Sequence, residues 1–125
     1  MKPERVAFVM YPVTDMPRSV AFYRDILGFQ LSGLANDFWM EFDVTGVTFG
    51  LGNFPQVGTP GTAQSLAIEV GDMEAARSEL AGRGVETTEP FETPICYISI
   101  LQDPDGNKVA LHQAKPSASG TPRAS

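Results

Sequence analysis

His112 is the chain's single histidine and its most versatile acid-base group. An imidazole near neutral pH can take a proton as a general base or donate a hydrogen bond. It ends the last predicted strand, 108–112, so a surface histidine at a strand end is the alternative reading. Glu41 stands among Phe38, Trp39 and Phe42. Turned inward, it would be a desolvated carboxyl able to act as acid or base; turned outward, it is an ordinary carboxylate on an alternating strand. Glu69 offers the same chemistry, or else an ion pair with Lys108 or Arg5. Trp39 and Tyr11 have planar faces on which a flat ligand would stack, although such residues more often serve a core or an interface. Cys96 has no histidine or cationic helix end beside it in sequence, and reads as a buried structural thiol. No spacing among these groups singles out one catalytic constellation.

The elements that must position them occur twice. Val13-Thr14-Asp15-Met16 opens a helical run that closes at Leu27-Gly28-Phe29, and Val70-Gly71-Asp72-Met73 opens another that closes at Arg83-Gly84-Val85. The two Asp residues are 57 positions apart (72 − 15), so the repeat nearly fills the chain. Asp15 or Thr14, and then Asp72, can cap the helices, with Pro17 where a missing N–H is harmless. Strands are predicted at 6–13, 29–31, 38–42, 47–51, 65–70, 85–88, 95–101 and 108–112 from their β-branched and aromatic content. Asp103-Pro104-Asp105-Gly106-Asn107 is a turn. The spacing predicts an α+β protein of two tandem βαβββ modules, 1–54 and 64–113, joined by a linker over 55–63 and followed by a disordered tail over 114–125. Neither module could bury a sheet face alone, so the two curved mixed sheets are expected to form a half-open barrel around a cleft.

Composition narrows the function. A net charge of −6 with nine scattered Lys and Arg residues argues against nucleic acid, which needs clustered cations. A single cysteine excludes an internal disulfide and the multi-cysteine zinc patterns. No apolar run approaches the roughly 18 residues of a membrane span, and Met1-Lys2-Pro3-Glu4-Arg5 lacks a signal peptide's apolar core. A soluble cytoplasmic protein is expected.

Three segments carry a family resemblance: Val13-Thr14-Asp15 with Ala21-Phe22-Tyr23-Arg24-Asp25-Ile26-Leu27-Gly28-Phe29; Ile68-Glu69-Val70-Gly71-Asp72 with Leu80-Ala81-Gly82-Arg83-Gly84-Val85; and the 103–107 turn. Together they resemble the vicinal oxygen chelate superfamily of glyoxalases, bleomycin-resistance proteins and extradiol dioxygenases. In metal-dependent members a ligand lies seven residues before each helix-opening Asp and four after each turn Gly. Carried over, those positions are Phe8, Ser65, Gly50 and Ala110. They offer one weak hydroxyl between them, so the resemblance implies that the inherited metal site is absent and no cofactor is expected, with a displaced divalent metal left open. With Phe8 inward, alternation turns Met10 inward too, and Ser65, Ala67, Glu69, Lys108, Ala110 and His112 share a face in the second module. Phe8, Met10, Trp39, Gly50, Ser65, Ala110 and His112 are therefore the expected ligand-binding residues. Phe91-Glu92-Thr93-Pro94 reads as a lid or as a plain connection.

The expected function is binding of a small organic molecule in an apolar, aromatic-lined cleft. The alternative is a glyoxalase-type lyase or isomerase working through Glu41, Glu69 or His112; a vestigial pocket on an interaction protein is a third reading. The resemblance also implies a homodimer.

Overall fold

The computed structural model describes residues 1–116. The element order is β1 (Val9–Pro12), α1 (Met16–Ala21), a π-helical segment (Phe22–Ile26), β2 (Gln30–Ala35), β3 (Trp39–Val44), β4 (Val47–Gly52), a 3-10 turn (Pro55–Val57), β5 (Leu66–Glu69), α2 (Met73–Gly82), β6 (Phe91–Glu92), β7 (Cys96–Gln102) and β8 (Lys108–Ala114). The eight strands make two four-stranded mixed sheets ordered β1-β4-β3-β2 and β5-β8-β7-β6. In each sheet the module's first strand runs parallel to its last, β1 with β4 and β5 with β8, and the other pairs are antiparallel. The sequence repeat is thus a repeat of topology, and the fold is α+β.

The helix starts follow the expected chemistry. Asp15 Oδ1 accepts from the Arg18 N–H at 3.1 Å and Asp72 Oδ1 from the Ala75 N–H at 3.0 Å, each satisfying an amide that has no intrahelical partner. Gly28 (φ 77°) and Gly84 (φ 81°) follow the helical ends in the left-handed region, where a Cβ would be strained.

Several expected elements differ. The first helix does not run α-helical to Leu27. From Phe22 it widens, the Leu27 N–H reaching the Phe22 carbonyl at 3.1 Å, and this places the consecutive Phe22 and Tyr23 side chains both in the core. No strand forms at 85–88. The Val85 N–H instead completes the end of α2 on the Leu80 carbonyl, and Thr88 meets Ile100 through its own N–H and Oγ1 alone. Pro90, which has no N–H, blocks extension of that pairing. The strand lies at Phe91–Glu92 instead, so half of the expected lid segment is tied into a ladder with β7. Finally, β1 begins at Val9, leaving Val6 and Phe8 exposed, and β8 runs to Ala114. The expected tail lies outside the described residues from 117 onward.

The chain divides into two compact units, each described by itself. The first is Met1–Ala63 together with Asp103–Asn107; the second is Gln64–Gln102 with the described chain from Lys108. The first unit's core is aromatic. Tyr11, Tyr23, Phe42 and Phe49 are fully buried, with Tyr23 and Tyr11 centred 5.0 and 5.1 Å from Phe49. Each such ring contributes about 1.5–3 kcal/mol through burial. The second core is aliphatic: Met73 and Leu80 of α2 with Leu101, Val109, Leu111 and the Cys96 thiol, which is buried as expected.

The 103–107 turn is held in the first unit by a buried polar network. Asp103 Oδ2 accepts from the Tyr23 hydroxyl at 2.8 Å and from Asn107 Nδ2 at 2.9 Å, while its Oδ1 takes the amides of Asp105 and Asn107. Burial first, and then the neighbouring Asp103 carboxylate, push the Tyr23 hydroxyl far above its usual value of 10.0. A raised folded-state value means that its contribution to stability is complete below the unfolded value near 10.0 and is lost as pH rises beyond it. Each further pH unit removes about 1.4 kcal/mol. The melting temperature is therefore expected to fall between about pH 9.5 and 11.5, and to fall less over that interval in Tyr23→Phe. Coincident slopes for the two chains would show that Tyr23 carries none of this dependence.

Candidate functional site

Strand alternation gives each sheet a helix-covered face and an outer face. In the first unit Tyr11, Phe42, Phe49 and Leu51 are fully buried on the helix side. Met10, Gly50, Glu41 and Ser32 are register partners across β1, β4, β3 and β2, and form one row of the outer face. Trp39, opposite Gly52, forms the next row.

The indole of Trp39 lies over Gly50. A Cβ at Gly50 would overlap the six-membered ring, so only glycine allows this approach. Gly50 was an expected ligand-binding residue, and the space over it is taken by the indole. Trp39 Nε1 donates to Glu41 Oε2 at 2.9 Å, the ring of Phe8 meets the indole edge-on with centroids 5.1 Å apart, and Phe54 lies 6.3 Å away. Glu41 is thus half-buried on the outer face, and its carboxylate orients the indole. Phe8 and Met10 remain 44% and 39% exposed, which leaves a continuous apolar surface around the Trp39 edge.

The second unit's outer face is built the same way from different residues. Ala67 pairs with Ala110 and Glu69 with His112 across β5 and β8; Ile100 and Ile98 are their partners on β7. Ser65 lies exposed just before β5. The Glu69 carboxylate is shared between two groups: Oε1 is 2.5 Å from His112 Nδ1, and Oε2 accepts from the Ala114 N–H at 2.8 Å. The parallel register of β5 with β8 sets His112 beside Glu69. Glu41 belongs to the first unit and His112 to the second, each already engaged by a neighbour.

The four inherited metal positions do not fit a metal. Phe8, Ser65, Gly50 and Ala110 supply no strong donor, and the indole occupies the space over Gly50. Among the described residues no three His, Cys, Asp or Glu side chains gather closely enough to hold an ion. A groove of about 610 Å³ lies elsewhere on the first unit, over Met16, Val20 and Met40 at the start of α1, and none of the candidate residues lines it.

Two of these arrangements escaped the sequence reading. The Trp39–Glu41 bond carried a signal, since residues two apart on a strand share a face. The Tyr23–Asp103 bond joins residues 80 positions apart and carried none.

Repeated βαβββ units define a fold on which function is set by the residues of the strand faces rather than by the fold itself. The chain belongs to the Glyoxalase/Bleomycin resistance protein/Dioxygenase superfamily, whose model matches residues 5–111. A Vibrio parahaemolyticus protein described as a probable lactoylglutathione lyase is 27% identical over 137 residues, covering 96% of this chain and 98% of the relative. The crystal structure of TnmS3, an antibiotic binding protein from Streptomyces sp. CB03234, matches with a TM-score of 0.80 and 28% identity over 92% of this chain and 99% of that one. Lactoylglutathione lyase from Agrobacterium tumefaciens matches with a TM-score of 0.76 over 90% of this chain and 95% of that one; at 16% identity it shares the fold alone. No helix among the described residues is long and apolar enough to cross a membrane.

Proposed function

We propose that this protein binds a small, largely apolar organic molecule against the outer sheet faces, through Phe8, Met10 and Trp39, and does so without the family's metal. The observation that carries this reading is the indole seated on Gly50, which puts a stacking surface where a ligand to the metal would project. The likeness to an antibiotic binding protein supports it. On the second unit's own outer face, Ser65, Ala110 and His112 are the residues that would contact such a molecule. The protein acts as a homodimer in this reading, and light scattering should give a mass near twice 13.5 kDa.

Trp39 is the only tryptophan, so intrinsic fluorescence reports on one position. Titration with 1-naphthol is expected to change the emission saturably. A linear, unsaturable response would sink the reading. Mn²⁺, Zn²⁺, Ni²⁺ and Fe²⁺ are expected to leave the melting temperature unchanged, because an ion held by the native state would raise it. A stoichiometric metal lost on Glu69→Ala or His112→Ala would instead favour the second reading, a lyase or isomerase with a displaced metal. The Vibrio relative's description is what keeps that reading in view.

A further inference from the structure

The Glu69–His112 pair fixes more than a position. A carboxylate only accepts hydrogen bonds, so a neutral imidazole facing it at 2.5 Å through Nδ1 must carry its proton there. Glu69 is itself anchored by the Ala114 N–H, which prevents the carboxylate from following the ring if it turns. Nε2 is left as a bare lone pair, and it has no hydrogen-bond partner among the described residues. The histidine side chain is 28% exposed, so that lone pair is reachable.

We propose that Glu69 holds His112 in the Nδ1–H tautomer so that Nε2 serves as the hydrogen-bond acceptor for a hydroxyaromatic ligand on the second unit's outer face. The inference rests on the small-molecule reading above and names the ligand's polar group. Three features of the face select this class. An sp² nitrogen lone pair accepts most strongly from an acidic O–H, and a phenol is a better donor than an alcohol. Ile98 across from His112, Ala110 two residues before it on β8, and Ala67 opposite Ala110 offer apolar surface beside the imidazole for an aromatic ring. The Glu69 carboxylate beside the ring disfavours an anionic group at the same point. Glu69 is here a positioning residue; His112 touches the ligand.

Two measurements test this on the full chain. The single histidine makes the ¹⁵N spectrum of the imidazole unambiguous. At pH 8 the Nδ1 signal is expected to be pyrrole-like and Nε2 pyridine-like, and Glu69→Ala should return the ring toward the Nε2–H form that predominates in free histidine. A purely structural Glu69 would move stability without moving this signature. The Nε2–H form in the unmodified protein overturns the proposal.

The second measurement compares 1-naphthol with 1-methoxynaphthalene by calorimetry. Loss of one hydrogen bond is expected to weaken the methyl ether by about tenfold, and His112→Leu should erase the difference. Equal affinities for the two probes in the unmodified protein overturn the hydroxyl-acceptor role and leave the small-molecule reading standing. Absence of binding by either probe overturns both. A preference for 1-naphthol that survives in His112→Leu places the hydroxyl elsewhere and also overturns the proposal.

Discussion

Asn107→Ala is expected to lower the unfolding free energy by about 3–4 kcal/mol, several times the cost of an ordinary surface substitution. The side chain is fully buried and uses both ends of its amide. Nδ2 donates to the Pro12 carbonyl at 2.7 Å and to Asp103 Oδ2, while Oδ1 accepts from the amides of Gly61 at 2.9 Å and Ala63 at 3.1 Å. Truncation strands a buried carbonyl and two amides at once and opens a cavity among them. Asn107→Asp should be at least as severe, because it sets a second carboxylate against Asp103 and removes the donor to Pro12. Urea denaturation read by circular dichroism measures both. Asp105→Ala is the comparison: its carboxylate, itself only 5% exposed, accepts from the backbone and hydroxyl of Thr14, from Arg18 and from the Ser19 hydroxyl, but Thr14 and Arg18 are exposed and can turn to water, so the change should cost about 2 kcal/mol. If Asn107→Ala cost no more than that, the turn would have to be held by something other than this amide.

Trp39→Ala is expected to weaken 1-naphthol binding by about 30- to 100-fold, the loss of one well-placed aromatic anchor. Stability should fall by less, about 1–2 kcal/mol, because the ring is only half-buried and its removal exposes the glycine row rather than opening the core. Trp39→Phe keeps a ring but loses the N–H that Glu41 holds, so it should bind more weakly than the parent and more tightly than Trp39→Ala. Calorimetry is the appropriate readout, since the substitution removes the fluorophore. Unchanged affinity in Trp39→Ala would take the binding surface away from Gly50.

Much of the fold was legible from short stretches of chain. Asp15 or Thr14 and then Asp72 announced the two helix starts, Gly28 and Gly84 their ends, and alternation put Phe8 and Met10 on one face. Each of these signals depends on residues within a few positions of one another. The π-helical widening at Phe22 was not legible, because the same aromatic spacing also fits an α-helix. The strand at 91–92 was missed because its pairing belongs to β7, while Thr88 and Pro90 divide the earlier β-rich run.

The candidate site divides along the same line. Residue types at Phe8, Gly50, Ser65 and Ala110 show that those positions offer no strong donor, and the repeat was enough to pair them between the modules. Which side chains meet there was a tertiary matter. Glu69 found His112, 43 residues away, only because parallel pairing of β5 with β8 puts them side by side. Trp39 filled the space above Gly50 because antiparallel pairing of β3 with β4 brings the ring over a strand position with no Cβ to resist it. The sequence by itself determined the repeat, the caps and the faces, since these follow from local sterics and hydrogen bonding; the strand register decided the contacts, since it is set by the burial of a whole sheet face and is written in no single segment.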